Sequence, residues 1–125
     1  EGPFFYPHLH RHPEVQITLI AEGTGVLVAN EYVGPFAPGD VFVLGKELPH
    51  VFRSDPPYFA EGSTLTTLGI SLFFDEHSFG AHFWNLAEME AVRRLVYHAA
   101  GGWRIAGAAR TDVAERLSAL RNAAG

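Results

Sequence analysis

The stretch His8-Leu9-His10-Arg11-His12-Pro13-Glu14-Val15-Gln16-Ile17-Thr18-Leu19-Ile20-Ala21 decides the fold. Its second half, Val15 to Ala21, is β-branched and alternating, the signature of a strand. In its first half three histidines alternate, and on extended chain alternate residues project from one face. Glu14 and Gln16 continue that parity unless Pro13 introduces a bulge, because a slip of one residue sends every side chain to the opposite face.

Working outward, Glu22-Gly23 reads as a tight connection into Thr24–Ala29, giving a hairpin. Gly23-Thr24-Gly25 is a turn rather than a phosphate loop, since no helix and no Lys-Ser/Thr pair follows it. Glu31-Tyr32-Val33, Asp40–Leu44 and Pro49–Phe52 are further short strands separated by Pro35, Pro38, Gly39 and Gly45. Asp40 after Gly39 is expected to order its turn through neighbouring amides. Residues 53–63 read as a loop in which Pro56-Pro57 excludes helix. Residues 64–74 form the longest strand candidate, apolar enough to be covered on both sides.

From Asn85 the period becomes helical, with Leu86, Met89, Val92 and Val96 at spacings of three or four, until Gly101-Gly102 ends the pattern. A second helix is predicted from Thr111 or Asp112, where Asp112 and Glu115 have capping-box spacing. Its stripe of Val113, Leu117, Leu120 and Ala124 suits either packing on the strands or pairing with a second subunit.

The whole chain supports one domain. Its 125 residues are 47% hydrophobic and 18% charged, which excludes disorder, and 13 Gly, 8 Pro and 16 aromatics favour a turn-dense β fold. No apolar run approaches the ~18–20 residues of a membrane span. Zero cysteines removes disulfides and thiolate chemistry and suits a reducing cytosol. Residues 1–84 carry three basic side chains against ten acidic ones, and residues 85–125 carry six arginines against four acids, so neither part offers a basic stripe for nucleic acid. The chain begins at Glu1 and stops at Gly125 in a helical-looking stretch, and it is expected to be part of a longer protein.

Three imidazoles with an oxygen donor can bind Zn, Ni, Fe or Mn, leaving an open position for water or substrate. His50, on another strand, is a candidate third nitrogen beside His10 and His12. The alternative is that His and Gln16 hydrogen-bond each other or a polar effector. His77, His82 and His98 read as ordinary surface or capping residues, Phe4, Phe5 and Tyr6 as core or as cover for an effector, and Arg53 as a partner of Asp55 or Asp40 or of an anionic effector.

His10-Arg11-His12, then Gln16, six residues and Gly23, resembles the first cupin motif, and Pro38-Gly39-Asp40 through Pro49-His50 resembles the second. Over residues 5 to 122 the chain resembles the N-terminal sensor domain of AraC-type bacterial transcriptional regulators. The stretch from Leu44-Gly45 to Ser54-Asp55 is the most specific piece, and Phe79-Gly80 and Leu86-Ala87-Glu88-Met89 also look like that family.

The resemblance implies a mainly β fold with C-terminal helices: a cupin double-stranded β-helix, or jelly-roll barrel, over residues 1–84, and a dimerising helical hairpin over 85–125. It also implies a double helix-turn-helix DNA-binding domain beyond residue 125. The expected function is that of a cytoplasmic effector-sensing domain, arabinose-binding-like in architecture and needing no cofactor. Its candidate effector residues are His10, His12, Gln16, Thr18, His50 and Phe52, and its candidate dimer residues are Val113, Leu117 and Leu120. The family's metal positions fall on His10, His12, Gln16 and His50. Two departures weaken metal binding: Gln16 stands where the carboxylate ligand would be, and Ser54 where the second motif has Asn. The alternative function is a small cupin metalloenzyme, a dioxygenase or isomerase, using the three histidines.

Overall fold

In the computed structural model, residues 2–75, 103–105 and 107–124 are described. Among the described residues seven strands appear in chain order: β1 (Val15–Glu22), β2 (Gly25–Ala29), β3 (Tyr32–Phe36), β4 (Val41–Leu44), β5 (His50–Ser54), β6 (Leu68–Phe74) and β7 (Trp103–Ile105). A helix, α1 (Gly107–Ala124), follows them. The strands form two antiparallel sheets, ordered β6-β1-β4-β7 and β3-β2-β5.

The alternation of β1 sorts its side chains between two cores. Val15, Ile17 and Leu19 join Val41, Val43, Phe74 and Leu117 on the helix side. Ile20 joins Phe42 and Leu44 of its own sheet and Leu27, Ala29, Phe36 and Phe52 of the other, so the second core lies between the sheets. Gln16 and Thr18 share the parity of Ile20 and are buried too. They are the polar residues of an otherwise apolar inter-sheet face.

The expected hairpin between β1 and β2 is not formed. β1 pairs with β4 and β6, while β2 pairs with β3 and β5, so Gly23-Thr24 carries the chain from one sheet to the other. Gly23 has φ +120°, and an added Cβ would press on Phe5 and Thr67. The hairpin is instead β2–β3, where Asn30 takes φ 53° in a two-residue connection between the paired Ala29 and Tyr32. Pro35 is tolerated because β3 is an edge strand.

Other expectations also change. Pro56–Phe59 is a short 3₁₀ helix, since prolines at its start lack only N–H groups that would have no helical partner anyway. The strand in residues 64–74 begins at Leu68, is shorter than β1 and is half-exposed, because it lies at a sheet edge. The helix begins at Gly107, as Ala108, Ala109 and Arg110 are strong helix formers. Asp112 therefore sits inside the helix and pairs with Arg116 at 3.1 Å instead of capping. Asp40 does order its turn, with the Ala37 N–H donating to Oδ2 at 2.9 Å. The helix expected from Asn85, and His77, His82 and His98, lie outside the described residues.

The expected seam on α1 is turned partly inward. Leu117 is buried against the β1–β4 sheet, and Val113 packs beside it. The intramolecular core thus takes a residue expected at a dimer interface.

Candidate functional site

Residues 2–13 form an extended strap along the free edge of β5. Gly2 exchanges backbone hydrogen bonds with Thr67, and His10 does so with His50 at 3.0 and 2.8 Å. Between these points the Phe5 N–H donates to Ser54 Oγ at 3.0 Å, and the Phe5 ring packs on Phe36 and Phe52. Ser54 therefore holds the strap. At its far end the Glu47 N–H donates to the His12 carbonyl at 2.7 Å.

This path brings His10, on the strap, and His12, at the entry to β1, over His50 at the start of β5. The ring centroids of His10 and His50 lie 4.4 Å apart, those of His12 and His50 5.1 Å, and those of His10 and His12 5.9 Å. One ring nitrogen from each falls within 4.8 Å of the other two. His8 does not join them; it is exposed and stacks edge-on with Tyr6.

All three rings are oriented from behind. The Nδ1–H of His50 donates to the Leu48 carbonyl at 2.8 Å, that of His10 to the His8 carbonyl at 2.9 Å, and that of His12 to the Glu14 carbonyl at 3.0 Å. A carbonyl oxygen can only accept, so each Nδ1 carries a proton.

His12 Nε2 lies 3.0 Å from Gln16 Oε1, and the Gln16 amide N–H donates to Thr18 Oγ1 at 2.6 Å. Thr18 Oγ1 in turn lies 2.8 Å from Ser71 Oγ. The polar row thus runs from His12 through Gln16 and Thr18 to Ser71, from β1 across to β6.

His50 is different. It is 1% exposed, and its Nε2 has no hydrogen-bond partner among the described residues. Burial pushes its pKa below the ordinary histidine value, with the neighbouring His10 and His12 adding to the effect against the opposing hydrogen bond to Leu48. A buried acceptor without a partner is costly, and such atoms mark places where a ligand completes the structure.

The remaining sequence-derived candidates are distributed as follows. Phe52 lies beside His50, with centroids 6.4 Å apart, within the aromatic group of Phe5, Phe36 and Phe42. The Glu14 carboxylate stands 3.6 Å from His12 Nδ1 and is not among the clustered ligand groups, so it does not replace the carboxylate absent at position 16. Arg53 is exposed, on the face of β5 opposite His50 and Phe52. The sequence reading did not single out Ser71 or Phe73. Phe73 stacks edge-on against His12 and is half-exposed, and the exposed Tyr6 stacks edge-on against His10. A serine within an apolar strand was the available signal for Ser71.

The family model of the AraC-like ligand-binding domain matches residues 3–85. The chain belongs to that family. Strands β1 to β6 and the histidine cluster fall within the matched residues. No match is found among curated proteins or among solved structures. The family is regulatory, so the AraC-like domain is a ligand-sensing domain by kind. No helix among the described residues is long and apolar enough to cross a membrane.

Proposed function

We propose that this chain is the effector-sensing and dimerising part of a cytoplasmic transcriptional regulator. In this reading the two sheets are the halves of a jelly-roll barrel. A small molecule binds among His10, His12, Gln16, Thr18, His50 and Phe52. The C-terminal helices carry the second subunit, and a separate helix-turn-helix domain following this chain contacts DNA. The observation that carries the reading is the buried, unpartnered Nε2 of His50 beside His12, from which a polar row runs through Gln16 and Thr18. A few convergent polar groups in apolar surroundings are what a small-molecule site requires.

The way the site is assembled also suits a sensor. His10 belongs to the strap and His50 to the β5 sheet, so a ligand touching both favours the arrangement in which they are joined. A ligand shifts a conformational equilibrium only by its difference in affinity for the two states.

The test is a thermal-shift panel of pentoses, benzoates and small carboxylic acids, with titration of any stabilising compound against His10→Ala and His50→Ala. At least a tenfold loss of affinity is expected in both variants. Affinity equal to that of the unsubstituted protein would put the effector elsewhere. The histidine cluster also supports the metalloenzyme alternative, for which the measurement is oxygen consumption or isomerisation by iron-loaded protein. The sensor reading predicts no turnover.

A further inference from the structure

The sandwich is open along β6. Residues directly opposite each other on antiparallel strands project to the same side of the sheet. On β1, Gln16, Thr18 and Ile20 face the space between the sheets, and their partners on β6 are Phe73, Ser71 and Gly69. These three residues therefore line the inner face, yet Ser71 is exposed and Phe73 is 51% exposed. An inner face reaches solvent only where the opposite layer leaves it uncovered. The strap approaches this side of β6 at two places. An added Cβ on Gly69 would stand 3.2 Å from the Phe5 ring, and the centroids of His12 and Phe73 are 5.3 Å apart. Ser71 lies between them, on the floor of an opening framed by the strap and β6.

The polar row has a direction, and it ends in this opening. The Gln16 amide N–H donates to Thr18 Oγ1 at 2.6 Å, so the buried Thr18 hydroxyl places its own hydrogen on Ser71 Oγ at 2.8 Å. The Ser71 hydrogen then has no acceptor among the described residues. A donor at the end of such a chain is strengthened by the links behind it. Two positions along the strand, Phe73 supplies exposed aromatic surface against which a ring can stack.

Charge sets the class of ligand. Residues 1–84 carry three basic side chains against ten acidic ones, and none of the three is available at the opening. Arg11 lies 3.7 Å from Glu47, Lys46 is in the exposed turn before β5, and Arg53 is on the outer face of β5. His12 has both ring nitrogens engaged, by Glu14 and Gln16, with the Glu14 carboxylate 3.6 Å from Nδ1. An anionic group would enter this negative half without a counter-charge. A carbonyl oxygen accepts from Ser71 and brings neither charge nor a hydrogen of its own.

We propose that the opening between the strap and β6 admits the effector, and that Ser71 and Phe73 select a neutral aromatic carbonyl compound there. Ser71 donates to the carbonyl oxygen and Phe73 stacks on the ring. This deepens the effector reading and rests on it for the existence of a ligand site between the sheets.

The probes are para-fluoroacetophenone, para-fluorobenzoate and para-fluoroethylbenzene, which share a fluorinated ring and carry a neutral carbonyl, a carboxylate and no acceptor respectively. Each is titrated with the protein and followed by its fluorine NMR line width. The ketone is expected to bind more tightly than the other two. Ser71→Ala should weaken the ketone about fivefold or more, as loss of one hydrogen bond does, and leave the ethylbenzene unchanged. Ser71→Thr keeps a hydroxyl and should bind the ketone as the parent does, while Phe73→Ala should weaken both compounds. Both positions are exposed, and circular dichroism establishes that the variants are folded.

Ketone affinity indifferent to Ser71→Ala, or equal affinity for ketone and carboxylate, would overturn the selection. Ketone binding that falls with His50→Ala but with neither β6 variant would leave the effector reading intact and remove the opening from it. Binding of none of the three compounds would overturn the ligand class, and a pentose bound in a His50-dependent way would then still support the effector reading. A change in sedimentation on Phe73→Ala with every affinity unchanged would assign the opening to a second copy of the chain instead.

Discussion

At the scale of single residues, the site is a set of buried polar atoms whose hydrogen-bond accounting is nearly closed, and its predictions follow from opening or closing one term. Thr18 Oγ1 joins Gln16 to Ser71. Thr18→Val keeps the volume but leaves one end of the buried carboxamide without a partner, and should cost about 1–3 kcal/mol in urea denaturation. A variant as stable as the parent would mean that the row carries no energetic weight. Gln16→Glu puts an ionisable group in the same row. The protein should lose stability near neutral pH, because a carboxylate replaces a neutral amide in the core, and regain it as the pH falls and the carboxyl group is protonated, as read from urea denaturation midpoints. His50 supplies the pH dependence. Its native pKa lies below the ordinary value, so as pH falls below about 6.5 the unfolded chain takes up a proton that the native chain resists. Metal-free protein should therefore lose stability from about pH 7 toward pH 5, and His50→Gln should flatten that slope, as read from denaturation midpoints. An unchanged slope would place the responsible group elsewhere.

At the scale of elements, the parts legible in the sequence were those set by local alternation. β1 came from its β-branched alternation, and the convergence of His12 and Gln16 came from the same parity. His8 dropped out because parity holds only along a continuous strand, and the chain bends at His8 before the isolated bridge at His10. The partner of each strand was not legible. Gly23-Thr24 resembles a hairpin turn, yet nothing within it specifies whether the next strand pairs with the last or crosses to the other sheet. β6 looked doubly covered because its apolar composition does not record that it lies at an edge, with Phe73 half-exposed. Gly25 shows what local reading misses, since its requirement is set by a strand 28 positions away. A Cβ there would collide with the Arg53 carbonyl oxygen and the Phe36 ring. Gly25→Ala should therefore cost about 1–3 kcal/mol or more through overpacking of the β2–β5 pair, measured by thermal or urea unfolding. A neutral result would mean that the two strands separate freely at that point.

At the scale of the whole molecule, the helix decides how much of the domain's stability is its own. α1 closes the outer face of the β6-β1-β4-β7 sheet through Leu117, which is 4% exposed among Val15, Ile17, Leu19, Val41, Val43 and Phe74. Removing its side chain should leave a cavity costing about 2–5 kcal/mol. That cost alone does not separate intramolecular packing from a subunit seam, because either would be lost with the side chain, but mass action does. If Leu117 serves the chain's own core, Leu117→Ala lowers the unfolding midpoint by the same amount at every protein concentration and leaves the sedimentation coefficient unchanged. If the helix is shared between subunits at this position, the parent's midpoint rises with concentration and the substitution abolishes that rise. The packing predicts the first outcome. Dimerisation through α1 would then have to use its solvent-facing side, where Glu115 and Ala119 are exposed. Ala119→Arg would test that face without entering the core: a fall to monomer in sedimentation with an unchanged melting temperature at low concentration would assign the interface there, and an unchanged assembly would remove α1 from it.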